Sequence, residues 1–403
     1  MSCECVNSKT KVTFQNITNL NIEINRTIFV DSKYGNNITG ERENMRMSYQ
    51  NIDIAYSVAI PGDTIYVQPG DYVVNELELS NNISIYCSEG VKVSSTSNMF
   101  IANSILNVDI IGFGDFETDG GSILFVPSLS TIDRNEDKFE MKNDNISSKH
   151  IIENMDVIES RSILSDLRRW SELYPKNLTA LVPNDSLINI RFYCTSINII
   201  SGTFIVAESG CNIQVSISDK TVSSGSILQL SGEEIYIIYN FNEIFLSTQF
   251  MEFGEYSTGS VHINGDTLHV ASNNLPTFYI RSNALDFVLN LNNYISETAG
   301  YPLLLEIPDD DDSVSIQTYI SAKNMISVSG LVSCIGSNMY VGVNAPRILF
   351  QIPLIQIEQT SPLSIIYSTY GNIVLLSTVV MLTTLDETTR FISESGFIHN
   401  SRC

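Results

Sequence analysis

Apolar and polar residues alternate along short segments of this chain, and turn residues separate the segments. The alternation is clearest between Ala59 and Tyr72, where two Pro-Gly-Asp turns bracket the segment Thr64–Gln68. Two further segments, Tyr72–Leu79 and Ile83–Cys87, follow at once. A period of two residues and a high content of β-branched and aromatic residues indicate strands with one buried face. We therefore predict a series of short strands joined by tight turns.

Just before these strands the apolar spacing changes to three and four residues. The apolar positions there are Tyr49, Ile52, Ala55, Tyr56 and Ala59. This spacing places them on one face of a helix, so the pattern predicts a short amphipathic helix. We expect the helix to cover the first coil of a solenoid, because an uncovered end would expose apolar side chains and strand edges.

A repeat appears farther along the chain. The segment Asn82–Tyr86 is echoed by Asn107–Ile111, twenty-five residues later, with apolar residues at the same alternating positions. Gly90 and Gly112 are suited to corners, since glycine adopts positive φ without strain. A period of this length is typical of one coil of a parallel β-helix. Regularly spaced strands also occur in β-sandwiches, but the repeat favours the β-helix.

The periodicity also divides the chain. Between Thr131 and Asp185 charged residues are dense and apolar residues recur at helical spacing, which predicts a helical insertion. Strand-like segments with Ser-Gly turns resume at Leu187, and their period blurs after Asn240. We predict an N-terminal arm (residues 1–28), the start of the β-helix with its capping helix (29–130), the helical insertion (131–186) and a continued β-helix (187–403), with a distinct β domain after about residue 240 as the alternative for its last part.

Composition and charge narrow the function classes. Hydrophobic residues make up 43% of the chain, which excludes wholesale disorder. The formal net charge is −23, and from Ser201 onward six Lys and Arg stand against nineteen Asp and Glu. Nucleic-acid binding requires clustered cations along the phosphate track, so we expect no nucleic-acid partner.

Two segments bear on the location of the protein. Met1–Lys11 is polar, so we expect no signal peptide. The longest uncharged run, Gln359–Leu385, contains many Ser and Thr, two Tyr, a Gly and a Pro. That composition favours strands, so we expect no membrane span.

Seven cysteines are scattered along the chain. Four of them lie in apolar, strand-like segments: Cys87, Cys194, Cys211 and Cys334. Buried free thiols are common in such segments. The other three are candidates for exposed thiols that crosslink neighbouring molecules: Cys3, Cys5 and Cys403.

The residues that could carry chemistry are few, and we predict no catalytic and no cofactor-binding residue. The candidate metal ligands are four consecutive acids after Pro308: Asp309, Asp310, Asp311 and Asp312. Carboxylates of this kind suit calcium. Adjacent aspartates fan apart, however, so a solvated loop tip is the alternative.

Two other sets of residues are weaker candidates. His262 and His269 would point to opposite faces of one strand, unless a turn at Gly265-Asp266 folds them together as a metal pair. Asp115, Glu117 and Asp119 would share one face of a strand as a carboxylate cluster. The glycines at 114, 120 and 121 favour a turn rim for these acids instead.

The segment Phe29–Gly90 resembles the first coil of right-handed parallel β-helix proteins of the pectin-lyase-like class. The resemblance rests on Val30-Asp31, Gly35-Asn36, Ile52 with Ala55 and Ala59, Pro61-Gly62-Asp63-Thr64-Ile65 with Val67, and Pro69-Gly70 with Tyr72. Before the helix this chain has Ser48-Tyr49-Gln50-Asn51-Ile52 where the family often has Pro-Tyr/Phe-x-Thr-Ile. Gly112–Gly121 is similar to an early Gly-x-Gly-x-Ile-Asp-Gly corner of these folds. The resemblance is good over residues 29–125 and extends to the remainder only in the general pattern of short strands and turns. It implies an all-β, right-handed parallel β-helix.

The same family includes polysaccharide hydrolases and lyases. The hydrolases carry Asn-Thr-Asp, Asp-Asp, Gly-His-Gly and Arg-Ile-Lys segments in that order, and this chain lacks three of the four. The Asn- and Ile-rich style, with Ser32–Asn36 and Gly40–Asn44, also resembles β-helix proteins of mimivirus-type giant DNA viruses. That resemblance implies a role in a virus particle.

We therefore predict a non-enzymatic structural or surface protein of a virus particle, located in the virion or alternatively in the host cytoplasm during infection. Viral β-helices are often homotrimers, so we expect a homo-oligomer, with a trimer as one form, and other virion proteins or glycans as partners. The alternative is a carbohydrate-active β-helix: a polysaccharide lyase or hydrolase, or a glycan-binding protein. Its groove would draw on aromatic residues at Tyr236, Tyr239, Phe241, Phe245 and Phe250.

Overall fold

Strands dominate the structure, a computed structural model. It describes residues 26–128, 187–271, 273–297, 302–306 and 315–327 and, C-terminal to these, the backbone of the strands between Val332 and Asn400. A 3-10 turn lies at Met45–Met47 and one helix, α1, at Ile52–Ser57. The strands in chain order are β1 (Thr27–Val30), β2 (Thr64–Val67), β3 (Gly70–Val73), β4 (Leu77–Glu78), β5 (Ser84–Cys87), β6 (Val91–Ser95), β7 (Phe100–Ile101), β8 (Asn107–Gly112), β9 (Asp115–Val126), β10 (Ile188–Cys194), β11 (Ser196–Ala207), β12 (Cys211–Ser223), β13 (Ser226–Leu230), β14 (Ile235–Leu246), β15 (Met251–Val270), β16 (Phe278–Ser296), β17 (Leu303–Glu306), β18 (Ser315–Ser327), β19 (Val332–Ile335), β20 (Met339–Asn344), β21 (Ile348–Phe350), β22 (Ile355–Glu358), β23 (Ser364–Thr369), β24 (Ile373–Leu375), β25 (Val380–Leu382), β26 (Arg390–Ser395) and β27 (Ile398–Asn400).

The strands pair in parallel, each with a strand one coil farther along the chain, and they form three ladders. The first sheet contains β1, β2, β5, β8, β10, β12, β14, β15, β16, β18, β20, β23 and β26. The second contains β3, β6, β9, β11, β12, β14, β15, β16, β18, β21, β24 and β27. The third contains β4, β7, β9, β11, β13, β15, β16, β17, β19, β22 and β25.

This pairing confirms the predicted all-β, parallel β-solenoid. Long strands pass around corners, so β15 contributes to the third, first and second sheets in turn. The repeat noted in the sequence is one coil, because Ile85 pairs with Ile110. The handedness of the coil stays a prediction.

The core fills the inside of the solenoid along the described coils. Alternate side chains point inward, and a single cluster of buried residues extends from Ile28 to Met325. A row of aromatic rings occupies its centre, with successive centroids 5.0 to 6.3 Å apart: Phe100, Phe116, Phe192, Phe204, Tyr239, Phe250, Phe278 and Phe287. Burying each such ring stabilises the fold by about 1.5–3 kcal/mol.

Glycine is required at particular corners. Gly112 has φ +129°, and a Cβ there would overlap the carbonyl oxygen of Cys87 on the preceding coil. Gly259 has φ +148° and meets the carbonyl oxygen of Ile235 in the same way. Adjacent coils approach at the backbone at these points, so a side chain has no room.

The predicted helix is present as α1, with Ile52, Ala55 and Tyr56 buried. It is shorter than the apolar spacing suggested, because Ala59 and Ile60 already belong to the turn before β2. Its role as a cap of the first coil stays a prediction. The predicted strand Tyr72–Leu79 is in fact two strands, β3 and β4, since the chain turns a corner between them.

Several predicted segments lie outside the described residues. They are most of the N-terminal arm and the whole of the predicted helical insertion, because residues 129–186 are not described. Strand β14 runs from Ile235 to Leu246 and so crosses residue 240, while the division into domains stays a prediction. None of the helices in the described ranges is long and apolar enough to cross a membrane.

Candidate functional site

A groove of about 630 Å³ lies on the outer face of the first sheet. It extends from the turn Pro61–Asp63 across the first residues of β8, β10 and β12. Its polar lining includes Ser84, Asn107, Asp109, Asn189, Arg191 and Gln214. These side chains point outward because they alternate with core residues such as Ile110 and Phe192.

The ladder register arranges the groove residues in two columns. Asn107, Asn189 and Asn212 are paired in register along the first column. Asp109, Arg191 and Gln214 are paired in register along the second. Neighbouring strands lie about 4.8 Å apart, so the groove presents a polar group at each step along the solenoid axis.

An ion pair joins two coils in the floor of the groove. The Nε of Arg191 donates to Oδ1 of Asp109 at 2.6 Å, and Nη2 of the same guanidinium donates to Oδ2. The hydrogen bond to Asp109 holds the pKa of Arg191 above its ordinary value. This two-pronged contact fixes both side chains, although Arg191 is still 57% exposed and available to a ligand.

The second carboxylate of the groove is also engaged. Asp63 is fully buried, and its Oδ2 accepts from Nη2 of Arg42 at 2.6 Å and from the backbone N–H of Ile60 at 2.9 Å. Its Oδ1 makes no hydrogen bond among the described residues. The groove therefore holds two carboxylates, and each is bound by an arginine.

Amide side chains supply the remaining polarity. The Nδ2 of Asn212 donates to Oδ1 of Asn189 at 3.1 Å, and Nδ2 of Asn189 donates to the carbonyl of Leu187 at 2.9 Å. The Oε1 of Gln214 is buried and makes no hydrogen bond within the described part of the chain. Arg26 lies at the rim against Gly62 and adds a positive charge to the groove, since it forms no ion pair with any other residue that the structure describes.

Aromatic side chains stand beside the groove on the same outer face. Phe29, Tyr66 and Tyr86 are paired in register, two residues along the strands from the polar column. The rings of Tyr66 and Tyr86 are stacked at 5.4 Å, with 19° between their planes. Amides, hydroxyls, an ion pair and an aromatic edge can together hydrogen-bond and pack against a polyhydroxylated ligand.

A second polar cluster lies on the outer face of the third sheet. Arg281 contacts Glu255 at 3.3 Å and Glu306 at 3.4 Å, and the hydroxyl of Tyr279 donates to Glu306 at 2.5 Å. Burial and, as the smaller cause, the hydrogen bond that the Tyr279 hydroxyl donates to Glu306 raise the pKa of Tyr279 to about 12. Both carboxylates share one guanidinium, which is typical of a structural network.

The structure separates the two histidines. Both lie in β15, but the strand turns a corner between them instead of forming a hairpin at Gly265. His262 faces outward on the first sheet, and His269 lies on the second sheet, 3.5 Å from Glu297. The hypothesis of a converging histidine pair is therefore wrong.

Of the acids of β9, Asp115 and Glu117 lie on a regular part of the strand, and Asp119 directly precedes a corner. Asp115 accepts a hydrogen bond from Ser196 at 2.6 Å and Glu117 accepts one from Asn198 at 2.6 Å. They share the outer face of the second sheet, as the alternation allowed. The predicted turn is present as a corner at Gly120 and Gly121, both at positive φ, where β9 passes from the second sheet to the third.

The five aromatic residues that the sequence suggested for a glycan-binding groove do not lie together. Tyr239, Phe241 and Phe250 are buried in the core, while Tyr236 and Phe245 face outward on different sheets. The candidate metal ligands Asp309, Asp310, Asp311 and Asp312 lie outside the described residues. In the part of the chain that the structure describes, three or more His, Cys, Asp and Glu side chains are nowhere clustered as a metal site.

Three cysteines behave as predicted. Cys87, Cys194 and Cys211 are buried free thiols. Burial raises the pKa of Cys87 and Cys211 to about 12 and also raises that of Cys194. These thiols are core side chains and are protonated at neutral pH.

Sequence reasoning missed the groove, although the chain contains a signal for it. Asp109 and Arg191 are 82 residues apart in the chain and meet only through the ladder. The signal is a triplet of Asn, an aliphatic residue and a polar or charged residue near the start of three successive first-sheet strands. The triplets are Asn107-Val108-Asp109, Asn189-Ile190-Arg191 and Asn212-Ile213-Gln214.

The fold and the groove define a class: parallel β-solenoids with a polar lateral groove. Comparison with protein-family models, with curated proteins and with solved structures gave no match to this chain. The resemblance to the pectin-lyase-like class thus rests on the motifs of residues 29–125, and the family stays a proposal.

Proposed function

We propose that this protein is a non-enzymatic structural or surface protein of a virus particle, built on a pectin-lyase-like β-solenoid. The observation that supports this role is the single buried cluster that continues from Ile28 to Met325. Stacked coils with a continuous core resist bending, because bending would open the strand ladders and the packed core together. A stiff element of this kind suits a role on a particle surface.

The groove chemistry also favours a role without catalysis. Glycoside hydrolysis uses one carboxyl group as an acid and another as a base or nucleophile. Here Asp109 is bound in two places by Arg191, and Asp63 is bound by Arg42 and by a backbone N–H. Carboxylate oxygens that already accept hydrogen bonds from a guanidinium are not free to protonate a leaving group or to activate a water molecule.

A second function is favoured by the groove itself: binding of a glycan. Sugar hydroxyls pair well with planar amide groups and with charged side chains, and the groove presents such groups on three successive first-sheet strands. The guanidinium of Arg26 and the paired Asp109 and Arg191 leave the groove with a small positive charge in an acidic chain. We therefore propose a neutral or carboxylated sugar chain as its ligand.

Mass spectrometry of purified particles tests the first proposal. We expect peptides of this chain in the particle fraction at a level comparable to known surface components. Peptides confined to the host cytoplasm would overturn the virion location. Particles treated with a protease before analysis show in addition whether the chain is exposed.

Glycan binding is tested with an oligosaccharide array followed by titration calorimetry of the best neutral and carboxylated sugars. We expect Gln214→Ala to weaken binding about fivefold, since one hydrogen bond contributes about 1 kcal/mol. The matched control is Gln317→Ala, on the same outer face but far from the groove. Binding that is absent on the array, or unchanged in Gln214→Ala, contradicts this proposal.

The same sugars also separate binding from cleavage. We expect the wild-type protein to leave them intact over prolonged incubation, as judged by mass spectrometry of the sugar. Shortened or unsaturated products that disappear in Asp109→Asn would favour the enzymatic alternative.

A further inference from the structure

A buried ion pair supports the turn at one end of the groove. The carboxylate of Asp63 is fully buried, and Nη2 of Arg42 donates to its Oδ2 at 2.6 Å. The same oxygen accepts from the backbone N–H of Ile60 at 2.9 Å, and the N–H of Asp63 donates to the carbonyl of Ile60 at 3.0 Å. These bonds close the turn whose residues Pro61, Gly62 and Asp63 line the groove. Arg42 therefore fixes the turn without being a lining residue itself.

The loop that carries Arg42 is also bonded to the start of β1. The N–H of Glu43 donates to the carbonyl of Thr27 at 2.9 Å, and Glu43 has φ +63°, which is uncommon for a residue other than glycine. Thr27 is the first residue of β1 and directly follows Arg26. Arg42 and Glu43 thus connect two parts of the chain, the turn at Asp63 and the start of β1.

Arg26 lies between these two anchored segments. Its backbone directly precedes Thr27, and its guanidinium lies against Gly62, where a Cβ on residue 62 would overlap Nη1 and Cζ. Gly62 is held in turn, because its N–H donates to the carbonyl of Asn82 at 2.5 Å. The position of the Arg26 guanidinium therefore depends on the turn that Arg42 fixes.

Charge distinguishes Arg26 from the other groove residues. Four of the described residues that line the groove are charged: Arg26, Asp63, Asp109 and Arg191. Asp109 is paired with Arg191 and Asp63 with Arg42, whereas Arg26 forms no ion pair within the described ranges. An exposed guanidinium of this kind can bind a carboxylate of a ligand in two places. A neutral sugar gains less from it, because hydrogen bonds between charged groups are the stronger ones.

We propose that Arg26 determines a preference of the groove for carboxylated over neutral sugars, and that Arg42 is the positioning residue that holds Arg26 in place through Asp63. This role rests on the glycan binding proposed above. It assigns the choice between the two classes of sugar to one side chain, and the geometry of that side chain to a residue outside the groove lining.

Titration calorimetry with two matched sugars tests the role of Arg26. The sugars are cellotetraose and its counterpart oxidised to a carboxylate at every C6. We expect the wild type to bind the carboxylated sugar at least about tenfold more tightly than cellotetraose, and Arg26→Gln to abolish this difference by weakening the carboxylated sugar alone. Arg46→Gln is the matched control, since it removes the same charge from an exposed site that does not line the groove. It should leave both affinities unchanged.

The role of Arg42 is tested by its coupling to Arg26. The double variant Arg42→Met with Asp63→Asn replaces the ion pair by a neutral pair, so no unpaired charge is buried and the fold should persist, which circular dichroism checks. In this background Arg26→Gln should weaken the carboxylated sugar by less than about twofold, because Arg26 is no longer held in place. A loss of about tenfold in this background as well would show that Arg42 does not position Arg26.

A measurement without sugar separates the two roles. Hydrogen exchange at the amide of Gly62 should be at least about tenfold faster in the double variant than in the wild type, while exchange at Ile110 in the same sheet stays the same. Unchanged exchange at Gly62 overturns the positioning role, whether or not a sugar binds. If the wild type binds neither sugar, or binds both equally, the preference assigned to Arg26 is wrong, and exchange at Gly62 alone then decides whether Arg42 fixes the turn.

Discussion

The outer surface of the solenoid differs between its first coils and the coils from β12 onward, while the core does not. The second column of the groove continues along the first sheet into the later coils. Asp109 and Arg191 occupy this column in the early coils, and Ile238, His262 and Val288 occupy it in the later ones. The early part is a charged, hydrated groove. In the later part Ile238 and Val288 are buried although they point outward, since they are stacked between neighbouring coils.

The second sheet changes in the same direction. Its outer face carries Asp115 and Glu117 in the early coils and Phe245, Ile295 and Ile326 later. Inward positions are apolar in both parts, because each coil is stable only when it buries its face on the next. Outward positions need not be apolar, because they do not contribute to the core. They are charged in the early coils and mostly apolar in the later ones.

The largest expected effect concerns the core that joins the two parts. Phe204 contacts Phe192 at 5.3 Å on one side and Tyr239 at 5.9 Å on the other. Phe204→Ala should lower the free energy of unfolding by about 3–5 kcal/mol, through lost burial and a cavity. Urea unfolding followed by circular dichroism measures it. The control, Phe113→Ala at an exposed site, should change it by less than about 0.5 kcal/mol.

The two parts share one core and should therefore unfold together. Phe204→Ala should then reduce the hydrogen-exchange protection of backbone amides in both parts. Loss of protection in only one part would show that the two parts unfold independently, and would favour a domain boundary between them.

The next effect concerns the corners, one in each part. Gly112→Ala and Gly259→Ala both force a Cβ onto a backbone carbonyl at positive φ. Each should cost at least about 2 kcal/mol, and the two costs should be similar. Gly90→Ala is the control, since φ is +85° there but the added Cβ would lie 3.4 Å from the Pro69 side chain and would not overlap the backbone, and about 1 kcal/mol is expected. Thermal unfolding of the three variants is the measurement; a harmless Gly259→Ala would contradict a shared corner geometry.

A smaller effect is the salt dependence of stability, which should differ between polar contacts in the later part and the ion pair in the early part. In the later part, Asn264 donates to Asn240 and accepts from Asn290, both at 3.1 Å. Asn264→Ala should cost about 1–2 kcal/mol at any salt concentration, because neutral hydrogen bonds are lost.

In the early part, a double-mutant cycle on Asp109→Asn and Arg191→Gln should give a coupling of at most about 1 kcal/mol that falls at high salt. Unfolding at low and high ionic strength distinguishes the two. A coupling that is insensitive to salt would show that the groove pair is shielded from solvent.

The smallest effect is a pH dependence that only the later part should show. Burial lowers the pKa of His262 below its unfolded value, and the charge of Asp286 partly opposes this shift. The unfolded chain therefore binds a proton first as the pH falls through about 6.5, and stability decreases below that pH. At higher pH the imidazole is neutral in both states and contributes no slope.

Unfolding at pH 7.5 and pH 5.5 checks this dependence. His262→Gln should lose less stability between the two values than the wild type does, and His269→Gln, on the second sheet, is the control. An equal loss in His262→Gln would assign the dependence to other groups.

The sequence was informative where local pattern decides structure. The alternation in Thr64–Gln68 and the spacing around Ile52 predicted β2 and α1, and the echo of Asn82–Tyr86 predicted the coil length. It failed where a strand continues through a glycine corner, as in β9 and β15, because glycines inside a strand-like segment also suggest a turn that ends the strand. A solenoid strand can turn a corner and keep its inward pattern, so alternation alone does not show which sheet a residue joins.

By itself, then, the sequence determined that this chain coils as a parallel β-solenoid, because inward apolar positions recur with the coil and are local in the chain. Only the tertiary structure decided what the surface does. The groove brings Asp109 to Arg191, and the second sheet places the ring of Phe245 beside that of His269, by register between different strands. Register depends on the length and path of each corner and insertion, and a one-residue slip would place different side chains together.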